Sequence, residues 1–132
     1  MMTEIHWMAA TGLMTALFWM VYVLNRFAVI GIPASLGNPN PEHKPLSDWA
    51  QRATAAHQNA MENFPIFAAL VLGVVALNLS SSLTITLSML YFFARLAHFV
   101  VYTLGIPVAR TLTFALGWVV QVVLALVILG VV

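Results

Sequence analysis

The chain has 132 residues, 62% of them hydrophobic, with five Lys plus Arg against four Asp plus Glu and no cysteine. Charged residues make up 7%, where a soluble domain carries about a quarter. That composition excludes a disordered chain, which needs low hydrophobicity and high charge. A net charge of +1 supplies no electrostatic footprint for nucleic acid, and the missing cysteines exclude a disulfide scaffold. Any thiol chemistry must therefore use a thiol from outside. A protein of the lipid bilayer remains.

A membrane-crossing helix needs roughly 20 apolar residues to traverse about 30 Å of hydrocarbon. Four segments qualify, at about 5–30, 48–79, 82–104 and 108–132, predicting an all-α, four-transmembrane-helix bundle in a single domain spanning 1–132. Glu4 stands where a signal peptide would have a basic region, and the first apolar run is too long for one. Gly31–Pro45, GIPASLGNPNPEHKP, carries four prolines and reads as a loop. Asp48 with Gln51 reads as a capping box opening the second helix, with Ser47 the alternative cap. Pro65 lies inside that helix, where it should free the carbonyl of Met61 and bend the axis. Asn78–Ser82, NLSSS, is a turn with N-caps for the third helix. Gly105 and Pro107 separate the third helix from the fourth.

Arg26, Lys44 and Arg52 surround the first connection and Arg110 lies by the third. By the positive-inside rule both connections face the cytoplasm and both termini lie outside. A multi-pass protein of a bacterial inner membrane is the corresponding location.

Polar residues inside the spans carry the functional information, because hydrocarbon penalises them. On the second helix Arg52, Asn59 and Glu62 fall on one side, with His57 and Gln58 nearby. On the third, Tyr91, Arg95, His98 and Tyr102 form one face, extended by Ser88. The fourth opens with Arg110 and Thr111, with Thr113 and Gln121 further along. The helix connections bring these stripes to one depth, near the cytoplasmic side. Glu62 and Arg95 are the expected buried ion pair. Two readings stay open: bundle glue with Arg52 and Arg110 reaching for headgroups, or an anion site in which arginines meet a negative ligand. Arg110 in a first helical turn favours such an anion. His57 and His98 lack the partners of a metal site, so no metal is expected. Trp7, Trp19, Trp49 and Trp118 read as interfacial anchors or packing. Ala53, Ala56 and Ala60, and Ala9, Gly12 and Ala16, are small residues that admit close helix approach.

RATAAHQNAMENFPIF from Arg52 to Phe67, ARLAHFVVY from Ala94 to Tyr102, and the Arg110–Thr111 pair together resemble the membrane-associated proteins in eicosanoid and glutathione metabolism, the MAPEG family. The likeness is to a bacterial-type member near the microsomal glutathione transferase and prostaglandin E synthase branches, and it covers nearly the whole chain. It implies a homotrimer of four-helix subunits, with glutathione as cosubstrate at the boundary between copies and lipophilic substrates arriving from the membrane lipids. Arg52, Asn59, Glu62, His98, Tyr102 and Thr111 then correspond to glutathione contacts, Arg110 to the catalytic thiol activator, and Arg95 and Pro65 to structural positions. Three departures mark this chain. Gln58 replaces a basic contact, Phe114 replaces a tyrosine, and the connection from Tyr102 to Arg110 is one residue shorter. The resemblance implies a glutathione-dependent transferase or peroxidase; the alternative is a non-enzymatic membrane scaffold or lipid-binding protein of the same fold. A small multidrug transporter fits less well, because the first helix offers only Thr11, Thr15, Tyr22 and Asn25 as polar residues.

Overall fold

In the computed structural model, which describes residues 2–132, the first apolar segment is two helices end to end. They are α1 (Glu4–Leu17) and α2 (Trp19–Ile30), joined at Phe18 and forming one 27-residue span. The hydroxyls of Thr11 and Thr15 donate to the carbonyls of Trp7 and Thr11, at 2.7 and 2.8 Å. Such back-bonding competes with the helix ladder and bends it. At the joint the Phe18 and Val21 amides reach back only three residues, to the Thr15 and Phe18 carbonyls. The single continuous helix read from hydropathy is thus interrupted.

The expected loop begins with one short helix, α3 (Ile32–Leu36). Pro33 sits in its first turn, where a missing N–H leaves no bond unmade and the fixed φ suits a helix. The remaining spans are α4 (Asp48–Ala76), α5 (Ser82–Leu104) and α6 (Pro107–Ile128). Helices α4 and α6 end short of the hydropathy boundaries; Asn78, with φ of 55°, closes the turn after α4.

The caps follow the sequence on α5, and on α4 the alternative reading holds in place of the capping box. Ser81 caps α5, accepting from the Thr84 amide at 3.2 Å while Thr84 Oγ1 accepts from the Ser81 amide at 2.8 Å. On α4 the cap residue is Ser47, and no Asp48–Gln51 box forms. Ser47 is engaged by the first span instead: Asn25 Nδ2 donates to its hydroxyl and its amide donates to Asn25 Oδ1, both at 2.9 Å. Gln51 turns back to donate to the Leu46 carbonyl.

Up-and-down topology follows from which ends are tied. Asn25 and Ser47 join the end of α2 to the start of α4, and Arg52 Nε donates to the Thr103 carbonyl at 3.1 Å, joining α4 to the end of α5. Gly105 turns the chain from α5 into α6 with φ of +78°, and a side chain there would meet Arg52 Nε at 3.1 Å.

At the opposite end lies a contact that the sequence did not announce. Glu4 is 1% exposed, and its Oε1 accepts from Ser80 Oγ at 2.7 Å and from Thr84 Oγ1. The carboxylate therefore ties the start of α1 to the first turn of α5, where free N–H groups favour a negative charge.

Between these ends the packing divides into two clusters. One joins Phe67, Val71 and Val74 of α4 to Leu87 and Tyr91 of α5 and Val120 and Leu124 of α6. The other seats Phe18 and Phe99 against Ala53, Ala56 and Ala60. In a bilayer, helices associate through van der Waals contact rather than through water exclusion, so small residues permit close approach. The alanine stripe of α4 serves this purpose, as does Gly12, where a Cβ would lie 3.3 Å from the Phe64 ring. Ala9 and Ala16 are exposed and take no part in it. Trp7 packs on Phe92 and Phe93, while Trp19, Trp49 and Trp118 are exposed. Near the proline of α4, Gln121 Nε2 donates to the Asn63 carbonyl at 3.1 Å, joining α6 to α4.

Replacing Glu4 by Ala removes the charged acceptor of the Ser80 and Thr84 hydroxyls, at about 2 kcal/mol. Thermal unfolding in detergent should show this loss, and Glu4→Gln, which keeps an acceptor, should lose less. Equal midpoints for wild type and Glu4→Ala would remove this tie from the account.

Candidate functional site

Three helices contribute to the polar centre. On α5 the stripe from Ser88 through Tyr91, Arg95 and His98 is buried, with Tyr102 half-buried at its end. Arg95 is 2% exposed, and its Nη2 donates to Asn59 Oδ1 on α4 at 2.5 Å. Its Nε has no partner.

This corrects the expected Glu62–Arg95 pair. Within the chain Arg95 meets Asn59, and Glu62 is exposed. The reason lies in helix geometry. Three residues carry α4 about 300° around its axis, so Glu62 is displaced some 60° from Asn59 and turns off the face that meets α5. Asn63, one residue on, comes back toward that face and donates to the Asn59 carbonyl at 2.9 Å. Glu62 is thus an outward-facing carboxylate about 21 Å along α4.

Around Arg95 the site opens toward the α5–α6 turn. His98 is 2% exposed, lies edge-on to Tyr102 with centroids 5.5 Å apart, and is 6.2 Å from Phe114. Its Nδ1 is buried without a hydrogen-bond partner. The Arg110 guanidinium carbon lies 4.7 Å over the Tyr102 ring centroid, a cation–π contact. Asn59, His98, Tyr102, Arg110, Thr111 and Phe114 line one open depression of about 280 Å³. A second depression, about 380 Å³, shares Tyr102 and Arg110 and adds Asp48, Gln51, Arg52 and Ala55. The stacked pair thus stands between two adjoining hollows.

Five of the residues read from the sequence therefore meet: Asn59, His98, Tyr102, Arg110 and Thr111. Arg52 lies in the adjoining hollow but spends its Nε on the Thr103 carbonyl, at the helix end where a cation is favoured. Glu62 lines neither hollow, and Gln58 is exposed. Thr111 donates to the Pro107 carbonyl at 3.2 Å, leaving its oxygen able to accept. His57 belongs elsewhere: its Nδ1 is 2.8 Å from the Tyr22 hydroxyl, on the interface with the first span. Among the described residues no three His, Cys, Asp or Glu side chains cluster as metal ligands. Sequence reading missed Asp48, Gln51 and Ala55 as lining residues. Their spacings of three and four residues, shared with Arg52, carried the only signal.

Chemically the arrangement is cationic and partly unsatisfied. Arg95 meets a neutral amide and Arg110 an aromatic face, neither of which neutralises its charge, and His98 retains a free ring nitrogen. Arginine does not shed its proton to escape such surroundings. An anion with hydrogen-bonding groups is the ligand that this set would hold best.

The sequence model of the MAPEG family matches residues 5–130. No curated protein and no solved structure matches the chain. With four helices among the described residues long and apolar enough to cross a membrane, the chain is an integral, multi-pass membrane protein.

Asn59→Ala should leave the buried guanidinium of Arg95 without its partner and destabilise the protein by about 1.5–3 kcal/mol. Asn59→Asp supplies a carboxylate at the same atom and should hold the thermal midpoint near or above wild type. Thermal unfolding followed by circular dichroism checks both; a wild-type midpoint for Asn59→Ala would show that Arg95 does not depend on it.

Proposed function

Because the chain belongs to the MAPEG family, we propose that it is a membrane-bound, glutathione-dependent transferase or peroxidase acting on lipophilic electrophiles or hydroperoxides. The observation that carries this reading is the placing of Arg110 and Tyr102 between two hollows whose walls include Asn59, His98 and Thr111. Hollows of about 280 and 380 Å³ together fall within the range that encloses small ligands. The unpaired His98 Nδ1 and the uncompensated Arg110 charge fit a tripeptide bearing carboxylates and a thiol.

In this mechanism each residue has a distinct task. A free thiol near its ordinary pKa of about 8.5 is largely protonated at neutral pH. Arg110 places a fixed positive charge against the sulfur and so favours the thiolate, in a site where low dielectric strengthens the attraction. The thiolate forms a C–S bond to an electrophile, expelling its leaving group, or cleaves a hydroperoxide O–O bond to give the alcohol and a sulfenic acid that a second glutathione converts to disulfide and water. Tyr102 holds Arg110 in position through its ring, Asn59 and Thr111 offer hydrogen bonds to the peptide, and Arg52 and Arg110 attract its carboxylates. Arg95 keeps α4 and α5 in register beneath.

Glu62 completes the reading. An exposed carboxylate midway along a membrane span is expensive against lipid, so its natural surroundings are a second copy of the chain or the ammonium group of the ligand. A homotrimer with the site at the boundary between copies supplies both, and the lipophilic substrate then enters from the bilayer. The basic residues of the first and third connections orient this opening toward the cytoplasm.

One observation favours the scaffold or lipid-binding alternative: Phe114 gives the hollow an apolar wall where a hydroxyl would strengthen glutathione binding. The two readings separate at Arg110. The catalytic reading expects ultraviolet absorbance of bound thiolate when glutathione is added to the detergent-purified protein, with the thiol titrating below its ordinary range. Arg110→Ala should return that titration upward and reduce turnover about 100- to 1,000-fold, leaving assembly intact. Stoichiometric glutathione binding without thiolate, or unchanged turnover in Arg110→Ala, would overturn the assignment.

A further inference from the structure

A separate basic cavity of about 410 Å³ lies beneath the first connection and shares no lining residue with the hollows of the proposed reaction. Arg26 from α2 and His43 and Lys44 from the connection supply its polar wall, and Ile30 and Leu46 its apolar one. No acidic side chain lines it. Glu42, the acid nearest in sequence, is exposed outside it.

Three further details bear on the ligand. Three prolines share the lining and contribute no N–H, which leaves the cationic side chains as the main groups to meet an anion held there. His43 Nδ1 is shielded from solvent and has no hydrogen-bond partner. The Asn40 side-chain oxygen is engaged by the Glu42 amide at 2.9 Å, and the Asn40 carbonyl by the His43 amide at 3.0 Å. This turn fixes the direction from which His43 and Lys44 approach Arg26. A guanidinium fork and an ammonium point charge converging on one space suit the oxygens of a phosphate group.

Position decides which phosphate. Arg26 lies one turn before the end of the first span at Ile30, and the Asn25–Ser47 bonds hold Leu46 beside that end. The cavity is therefore at the level where hydrocarbon gives way to headgroups. The adjoining α3 exposes Ile32 and Leu36, which would face acyl chains at such an interface. A free phosphate would make no use of them. We propose that this cavity binds the phosphate of an anionic phospholipid, with Arg26, Lys44 and His43 on the headgroup and Ile30 and Leu46 against the start of its chains.

Native mass spectrometry of the protein in non-ionic detergent tests the proposal, using phosphatidylglycerol, phosphatidylcholine with the same chains, and inorganic phosphate as probes. Phosphatidylglycerol should bind saturably and more tightly than phosphatidylcholine. Arg26→Gln combined with Lys44→Gln should weaken it about 30-fold, whereas Arg26→Lys with Lys44→Arg, which keeps both charges, should stay within a few-fold of wild type. Unchanged binding in the Gln variant, or equal binding of the two lipids, would overturn the site. Displacement of phosphatidylglycerol by inorganic phosphate at equal concentration would overturn the lipid as its ligand. Should the Gln variant fail to fold, salt titration of the wild-type protein decides: affinity for phosphatidylglycerol must fall as salt screens the cations, and constant affinity contradicts the proposal.

Discussion

The buried charge of Arg95 is the constraint around which the bundle is arranged. A guanidinium cannot neutralise itself by losing a proton, and hydrocarbon gives it no solvation. It therefore fixes what α4 must present at the same level, and α4 presents the amide of Asn59. A carboxylate there would cancel the charge; an amide only orients it. The positive field persists inside the bundle, beside a histidine with a free ring nitrogen. A site that leaves its own charge uncompensated is prepared for a ligand that brings a negative one.

The remaining charges follow the same economy of placement. Arg26, Lys44, Arg52 and Arg110 gather at the end where α2 and α5 finish and α4 and α6 begin. Each has different surroundings: a headgroup-level cavity for the first two, a helix-terminal carbonyl for Arg52, and the Tyr102 ring for Arg110. Glu4 is used at the far end as a tie between α1 and α5. Glu62 is left outward midway along a span, away from either helix end and without a companion, which is a physical reason to regard the single chain as an incomplete unit.

Hydropathy made the four spans legible, because 20-residue apolar runs have few other uses, and the Ser81 cap and the Gly105–Pro107 break were equally plain. The joint at Phe18 was not, since it arises from the hydroxyl bonding of Thr11 and Thr15 within an apolar run. Nor was α3, because its proline-rich segment read as loop although Pro33 suits a helix's first turn. The members of the site were readable from helical spacing, and five of them share one hollow. Their pairing was not: charge alone favours Glu62 for Arg95, and only the rotation of α4 about its axis selects Asn59. Arg52 shows a similar limit, because a free cation and one bonded to the Thr103 carbonyl look alike in sequence.

A high-resolution structure determined with glutathione tests the central claim most directly. The account predicts peptide density at a boundary between copies, with sulfur beside Arg110 of one copy and the ammonium group near Glu62 across the boundary. Density confined elsewhere, or an assembly that leaves Arg110 and Glu62 facing lipid, would contradict it.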